Sequence, residues 1–397
     1  MEDFPKLISV DDHIIEPPTL WSDRLPAKHL ERGPRVVRQK GNMNFVGGVF
    51  SFEADESGNE ADWWFFEDLQ IPLTKLEAAA GRDRDDVTVT GTTYDEMRKG
   101  CWDRAARLED MDANGVEASL CFPSSFPRFC GQRFMEAQDK ELADLCVKAY
   151  NDWMVEDWCA PSGGRLLPLI IVHLWDPELA AAEVYRNAER GVRAACFSEI
   201  PAFLGLPSIH TDYWEPFFRA CNETKTSIQM HIGSSSKMPS TSADAPAAIG
   251  STMTFTNAMM SMTDWMFSGW LAKYPDIKLS YSEGQIGWIP YILERADKVW
   301  EENRAWGGVA DKVTEPPSTY YYRQIYGCFF DDEYGLDNLE KVGVGNICFE
   351  VDYPHSDSTW PHSVQTAKKL MGHLPEDVIR KLVRGNAIDM LGLDLQP

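Results

Sequence analysis

The chain has no uninterrupted apolar run of the roughly 18 residues a membrane-spanning helix needs. Its opening, MEDFPKLIS, has no basic segment followed by an apolar one, so no secretory signal is expected there. Cysteines number nine, yet none forms a C-x-x-C pair. An odd count, with several cysteines inside apolar runs, points to buried free thiols in a reducing cytoplasm and away from a zinc-thiolate site. Basic residues are scarce: 38 Lys and Arg stand against 62 Asp and Glu, a net charge of -24. Nucleic acid and anionic membranes therefore find no cationic surface to bind. No G-x-G-x-x-G follows the first apolar run, and no Walker loop or G-x-S-x-G elbow occurs. Those absences exclude the dinucleotide-binding, P-loop and serine α/β-hydrolase classes.

What is present is a large apolar complement, 44% of 397 residues, enough for one sizeable core. Apolar runs at 6–10, 117–122, 166–172, 193–197, 227–230, 278–280, 324–329 and 346–351 read as strands, with amphipathic stretches such as 177–190, 214–224 and 376–391 between them. Eight alternating units predict an α/β chain folded as a TIM barrel rather than an open doubly wound sheet. A single domain over 1–397 is expected, with two interruptions. Residues 31–100, partly Gly-rich, form an insertion or cap between the first and second strands. Residues 234–268 are Met- and Thr-rich; they read as a core helix or as a lid over the barrel mouth.

Donor side chains sit at the ends of these runs: Asp11 and His13, Glu199, His231, Glu283 and Asp352. A barrel gathers its strand ends on one face, so residues hundreds of positions apart converge. Asp11 and His13 alternate and share a side of their strand, which turns Asp12 elsewhere. Glu199 and Glu283 follow apolar strands, where an unpaired carboxylate is costly; a nearby Arg193 or Lys278, or a metal, would satisfy them. Asp352 is a metal ligand or proton acceptor, or else a turn-initiating residue. His355, Asp357 and Glu16 are candidates to orient the ligands, and His173 to line the pocket. Arg128 and Arg133 lie beyond the second strand and offer a basic patch for an anionic group of a bound cofactor or substrate.

The segments VDDHIIEPP, the strand end at His231, SEGQIGWIPYILERAD and FEVDYPHSDSTWP together resemble the amidohydrolase superfamily, in the branch of aminocarboxymuconate semialdehyde decarboxylase and related aromatic-acid decarboxylases. The resemblance spans almost the whole chain. It implies a distorted (β/α)8 barrel with metal at the C-terminal strand ends, held by Asp11 and His13 from the first strand, His231 from the fifth and Asp352 from the eighth. Two positions depart from the pattern: Glu283 replaces the histidine the decarboxylases carry after the sixth strand, and Glu199 stands where binuclear members bridge two metals. Four carboxylates with two imidazoles carry about -4, which two divalent ions would cancel.

More narrowly, the chain resembles the amidohydrolase-fold nonheme diiron monooxygenases of platensimycin and platencin biosynthesis. That resemblance implies two Fe ions, O2, an external electron donor such as a reductase or ferredoxin, and hydroxylation of a bulky terpenoid coenzyme A thioester. Catalytic roles would fall to Asp352, Glu283 and His355. The alternative is a metal-dependent hydrolase or an aromatic-acid decarboxylase with one Zn or Mn. A homo-oligomer is expected.

Overall fold

The computed structural model describes residues 4–124 and 126–395. Eight parallel strands fall on the eight predicted runs: β1 (Leu7–Ile14), β6 (Val116–Pro123), β7 (Leu166–Leu167), β8 (Ala194–Phe197), β9 (Ser227–His231), β10 (Leu279–Ser282), β11 (Ile325–Phe329) and β12 (Ile347–Phe349). Between β1 and β6 lie β2 (Arg35–Val46), β3 (Val49–Ala54), β4 (Asn59–Phe66) and β5 (Leu69–Pro72). The parallel strands form two sheets, ordered β1-β6-β7 and β8 to β12 in sequence. Short links cross both gaps between them. Ile170 pairs with Ala195 on one side. On the other, the Asp352 N–H donates to the Asp11 carbonyl at 2.8 Å and the His13 N–H to the Tyr353 carbonyl at 2.6 Å. The architecture is TIM-barrel-like α/β.

Two boundaries differ from expectation for local reasons. β1 continues through Asp11, Asp12 and His13, every residue of it buried, because its backbone pairs with β6 as far as Ile14. β7 is short because Pro168 lacks the N–H a ladder needs.

Helices cover the strands, and their ends follow from sequence. Pro177–Ala188 starts where the Asp176 carboxylate accepts from the Glu178 and Leu179 N–H groups, with Pro177 at the first helical position. Such a cap stabilises by about 1 kcal/mol. Ala180, Ala181 and Val184 form its buried face. Arg104–Asn114 is capped by Asp103 and ends at Gly115, whose φ of 71° is the left-handed stop glycine permits.

The insertion folds as an antiparallel sheet ordered β3-β2-β4-β5. Val46 pairs with Val49 across a two-residue turn in which Gly47 and Gly48 take φ of 60° and 84°, as a type I′ hairpin requires. Its β4 strand anchors it. The Trp64 ring lies 5.0 Å from Trp21 and 5.1 Å from Phe126, and all three are buried. Removing such a ring costs about 3–5 kcal/mol. In the 234–268 region, the helix Phe255–Ser268 buries Ala258, Met262, Trp265 and Met266, so this part packs as core. Among the described residues no helix is long and apolar enough to cross a membrane.

Candidate metal centre

Strand ends bring six side chains to one point. Asp11 and His13 point inward from β1. Asp12 faces away, and its Oδ1 accepts from Ser9 Oγ and from the Tyr353 N–H, each at 3.0 Å. His231 closes β9, and its Nδ1 sits 2.6 Å from the Ile232 carbonyl. Donation there assigns the proton to Nδ1 and leaves a lone pair on Nε2, directed at the centre. That Nε2 lies 3.1 Å from His13 Nε2.

Carboxylates crowd the same nitrogens. Asp11 Oδ1 is 3.4 Å from His13 Nε2, and its Oδ2 is 3.4 Å from His231 Nε2. Glu283 Oε1 is 3.0 Å from His231 Nε2 and 3.8 Å from His13 Nε2. Asp352 Oδ1 is 3.5 Å from His13 Nε2. His355 completes the group: its ring stacks on His13 at 3.5 Å, and its Nδ1 lies 3.0 Å from Asp352 Oδ1 and 3.4 Å from Glu283 Oε1.

These donors fit a cation. Both oxygens of Asp11 and both of Asp352 are buried with no hydrogen-bond partner. Buried carboxylates without partners are costly, and a divalent ion among hard oxygens and imidazole nitrogens removes that cost. Burial, then the neighbouring Glu350, Glu283 and Asp352, push the Asp11 carboxyl well above its ordinary range. Burial, then His355, hold the His13 imidazole well below its own. A neutral imidazole is the form that binds metal.

Two of the carboxylates sit on strained backbone. Glu283 and Asp352 have φ of 55° and 59°, the left-handed region that L residues avoid. Each is over-determined by its neighbours. The Glu283 N–H donates to both oxygens of Glu350, at 3.1 and 3.2 Å, and the Asp352 N–H is held by Asp11. Sequence reasoning missed Glu350. Its signal was a lone carboxylate inside the apolar run ICFEV, where burial is certain and a partner is obligatory.

The other candidates are placed as follows. Glu199 makes no hydrogen bond or ion pair to the six among the described residues. Its Oε1 accepts from the N–H groups of Gly233 and Ser235, from Ser235 Oγ and from Asn257 Nδ2, which ties it to the loop after His231. Its Oε2 is buried without a partner. Arg193 neutralises neither glutamate, since it donates to the Ala188 and Val192 carbonyls; Lys278 donates to the Asp389 carbonyl. Glu16 accepts from the Ser124 N–H and hydroxyl. His173 binds Asp144 at 2.8 Å and is not among the pocket residues, contrary to expectation, because its ring turns toward the helix Lys140–Trp153.

A pocket opens above the cluster. His231, Glu283, Asp352 and His355 form its floor, with Asp357 beside them. Arg128, Phe129 and Arg133 form a wall, and Met43, Phe50 and Phe52 from the insertion reach over it together with Met238, Ser251 and Thr254. The family model for amidohydrolases matches residues 63–393. This chain belongs to the amidohydrolase family.

Solved structures similar to this amidohydrolase agree with the fold. One is an amidohydrolase from Mycobacterium avium subsp. paratuberculosis, 21% identical, with 98% of this chain and 99% of that one covered and a TM-score of 0.67. A second is 5-carboxyvanillate decarboxylase from Novosphingobium aromaticivorans with bound manganese, 15% identical, with 98% and 100% covered and a TM-score of 0.64. A third is a dihydroxybenzoic acid decarboxylase from a Polaromonas species, with bound manganese and 2-nitroresorcinol, 16% identical, with 99% and 98% covered and a TM-score of 0.63. At these identities the likeness shows the fold.

Proposed function

We propose that this amidohydrolase is a divalent-metal-dependent, non-oxidative decarboxylase of a small organic acid, and that its eight parallel strands act as one distorted (β/α)8 barrel. The observation that carries the reading is the convergence of Asp11, His13, His231, Glu283 and Asp352 on one point, with the Asp11 and Asp352 oxygens unpartnered. The similar manganese-containing decarboxylases support it. Those five residues would hold one ion, manganese being the first candidate. When bound, the ion supplies Lewis acidity that fixes and polarises an oxygen of the substrate.

The protein's own residues supply the rest. Decarboxylation breaks the bond between carbon and carboxylate, releases CO2 and leaves a carbon that must take a proton. The sequence lacks the histidine expected after the sixth strand, which weighed against this chemistry. His355 fills that need from a different loop. Its Nδ1 faces the Asp352 and Glu283 carboxylates, which fix the ring, and its buried Nε2 has no protein partner and belongs to the pocket floor. That Nε2 delivers the proton, and solvent restores it. The apolar roof keeps competing water from the site.

A dinuclear iron oxygenase is the second reading. The observation favouring it is Glu199 Oε2, buried and unpartnered on the side of His231. The coenzyme A thioester and the electron donor belong to this second reading. Hydrolysis of an ester, amide or thioester would use the same floor, with Asp352 accepting the proton from water.

The test uses manganese-loaded protein and a panel of hydroxybenzoates under anaerobic conditions. CO2 release is expected, with deuterium entering the product at the vacated carbon in heavy water. His355→Gln should keep the metal and lower kcat by about 10² to 10⁴. Turnover that requires O2 and places its oxygen in the product decides for the second reading.

A further inference from the structure

Arg128 stands in the pocket wall with no ion-pair partner among the described residues. Its Nε is buried with no hydrogen-bond partner, and its Nη2 makes only a long contact, 3.5 Å, to the Gly233 carbonyl. No carboxylate of the described residues lies within ion-pair distance of it, although Glu77 on the same wall attracts it at longer range. Arg133 adds a second guanidinium. It pairs with Glu136 at 2.7 Å through Nη1, while its Nε is buried and unpartnered. Burial, then the charge of Arg133, push the Arg128 guanidinium down to about 10. A chain with a net charge of -24 has carboxylates in plenty, yet among the described residues none forms an ion pair with Arg128.

Backbone strain accompanies the arrangement. Arg128 and Phe129 have φ of 56° and 32°, two consecutive left-handed residues that are not glycine. The bend lays the guanidinium 5.3 Å from the Phe129 ring, and that ring stacks on His231 at 4.2 Å. One aromatic ring thus separates the unpaired cation from the metal ligands. Met43, Phe50, Phe52 and Met238 line the apolar part of the same pocket.

We propose that Arg128, assisted by Arg133, is an anion subsite, and that the substrate is a bifunctional acid. Its reacting carboxylate sits at the cluster of Asp11, His13 and His231. Its second anionic group sits on Arg128, and its apolar body lies under the β2–β3 hairpin. The placement of the reacting group rests on the decarboxylase reading. The subsite itself rests on the arginines alone. The second anion is a carboxylate or a phosphate. A guanidinium binds either through paired, charge-assisted hydrogen bonds.

The experiment titrates manganese-loaded protein calorimetrically with straight-chain dicarboxylates from succinate to sebacate, each against the monocarboxylate of the same length. One length should bind at least about tenfold more tightly than its monocarboxylate. Arg128→Met should abolish that preference, Arg128→Lys should keep part of it and Arg133→Gln should weaken it, with metal content and melting temperature unchanged. Phosphonocarboxylates of the same lengths separate the two sources: tighter binding of the phosphonate marks a phosphate, and tighter binding of the dicarboxylate marks a carboxylate. No preference at any length, binding of neither class, or an undiminished preference in Arg128→Met overturns the subsite. Wild-type protein that takes up no manganese yet prefers the dicarboxylate through Arg128 breaks the decarboxylase reading and leaves the subsite standing.

Discussion

The floor of the pocket and its roof are built on opposite principles. The floor and the residues beneath it are polar and fixed by strand ends: Asp11, His13, His231 and Asp352 have essentially no solvent exposure, and Glu283 and His355 little. Its strain at Glu283 and Asp352 is locked by backbone hydrogen bonds to Glu350 and Asp11. The roof is an apolar, two-stranded hairpin with exposed Val46 and Val49 at its tip. Beyond Gly41, β2 pairs only with β3, and the tip meets the 234–268 segment through one backbone hydrogen bond, from the Met238 N–H to the Gly48 carbonyl at 3.1 Å. A two-stranded ribbon is marginally stable by itself. Under the proposed function this contrast divides labour: the floor would fix the chemistry, and the roof would select what reaches it.

The strongest way to break that division is at the floor. His13→Ala should weaken metal binding and lower turnover by at least about 10³, measured by elemental analysis and initial rates, because the nearest other imidazole, His355, is held by Asp352 and Glu283. A variant that keeps its metal and its rate would mean the ion binds elsewhere. At the roof the expected effect is smaller and of another kind. Phe52→Ala should leave metal content and kcat unchanged and raise KM by roughly tenfold, the loss of about 1.5 kcal/mol of apolar contact. An equal fall in kcat would show that the roof also orders the reacting group.

A third effect, on stability rather than turnover, is one of pH. Burial raises the Glu16 carboxyl at the foot of the site to about 7 from an ordinary 4.5, against the opposing hydrogen bonds from Ser124. A carboxyl raised on folding binds its proton more tightly in the folded chain. Its contribution is full below about 4.5 and is lost as pH rises through about 7. Glu16→Gln should therefore gain stability relative to wild type between about pH 5 and pH 8, on the order of 2 kcal/mol, read from melting curves at several pH values. A difference that does not change with pH would show that Glu16 is ionised throughout.

The floor was legible in the sequence because strand and ligand leave a joint signature. An apolar run followed at once by Asp, Glu or His located Asp11, His13, His231, Glu283 and Asp352. Eight such runs located the parallel strands. What escaped was set by backbone geometry that sequence does not carry. Glu350 matters because it meets the Glu283 N–H from the end of β12, with β11 between that strand and β10, whereas His355, already a candidate in the sequence, reaches the centre where the chain turns back after Asp352. Pro168 shortened β7, a breaker visible in the sequence but outvoted by the apolar run around it. The roof was legible only as Gly-rich hairpin sequence. That Met43, Phe50 and Phe52 overlie a centre made from residues as distant in sequence as Asp352 and His355 depends on tertiary packing, which no local pattern encodes.

The bonds that join Asp352 to Asp11 and His13 to Tyr353 also set a schedule for biosynthesis. At ribosomal rates of roughly 5–20 residues per second, the first strand waits on the order of 20 to 70 seconds before its last partners exist. Through that interval β1 can pair with β6, but the backbone bonds to Asp352 and Tyr353 and the full ligand set are missing. The edge of β1 that later meets Asp352 and Tyr353 is open until then. The ligand set of the proposed centre is therefore complete only when most of the chain has been made.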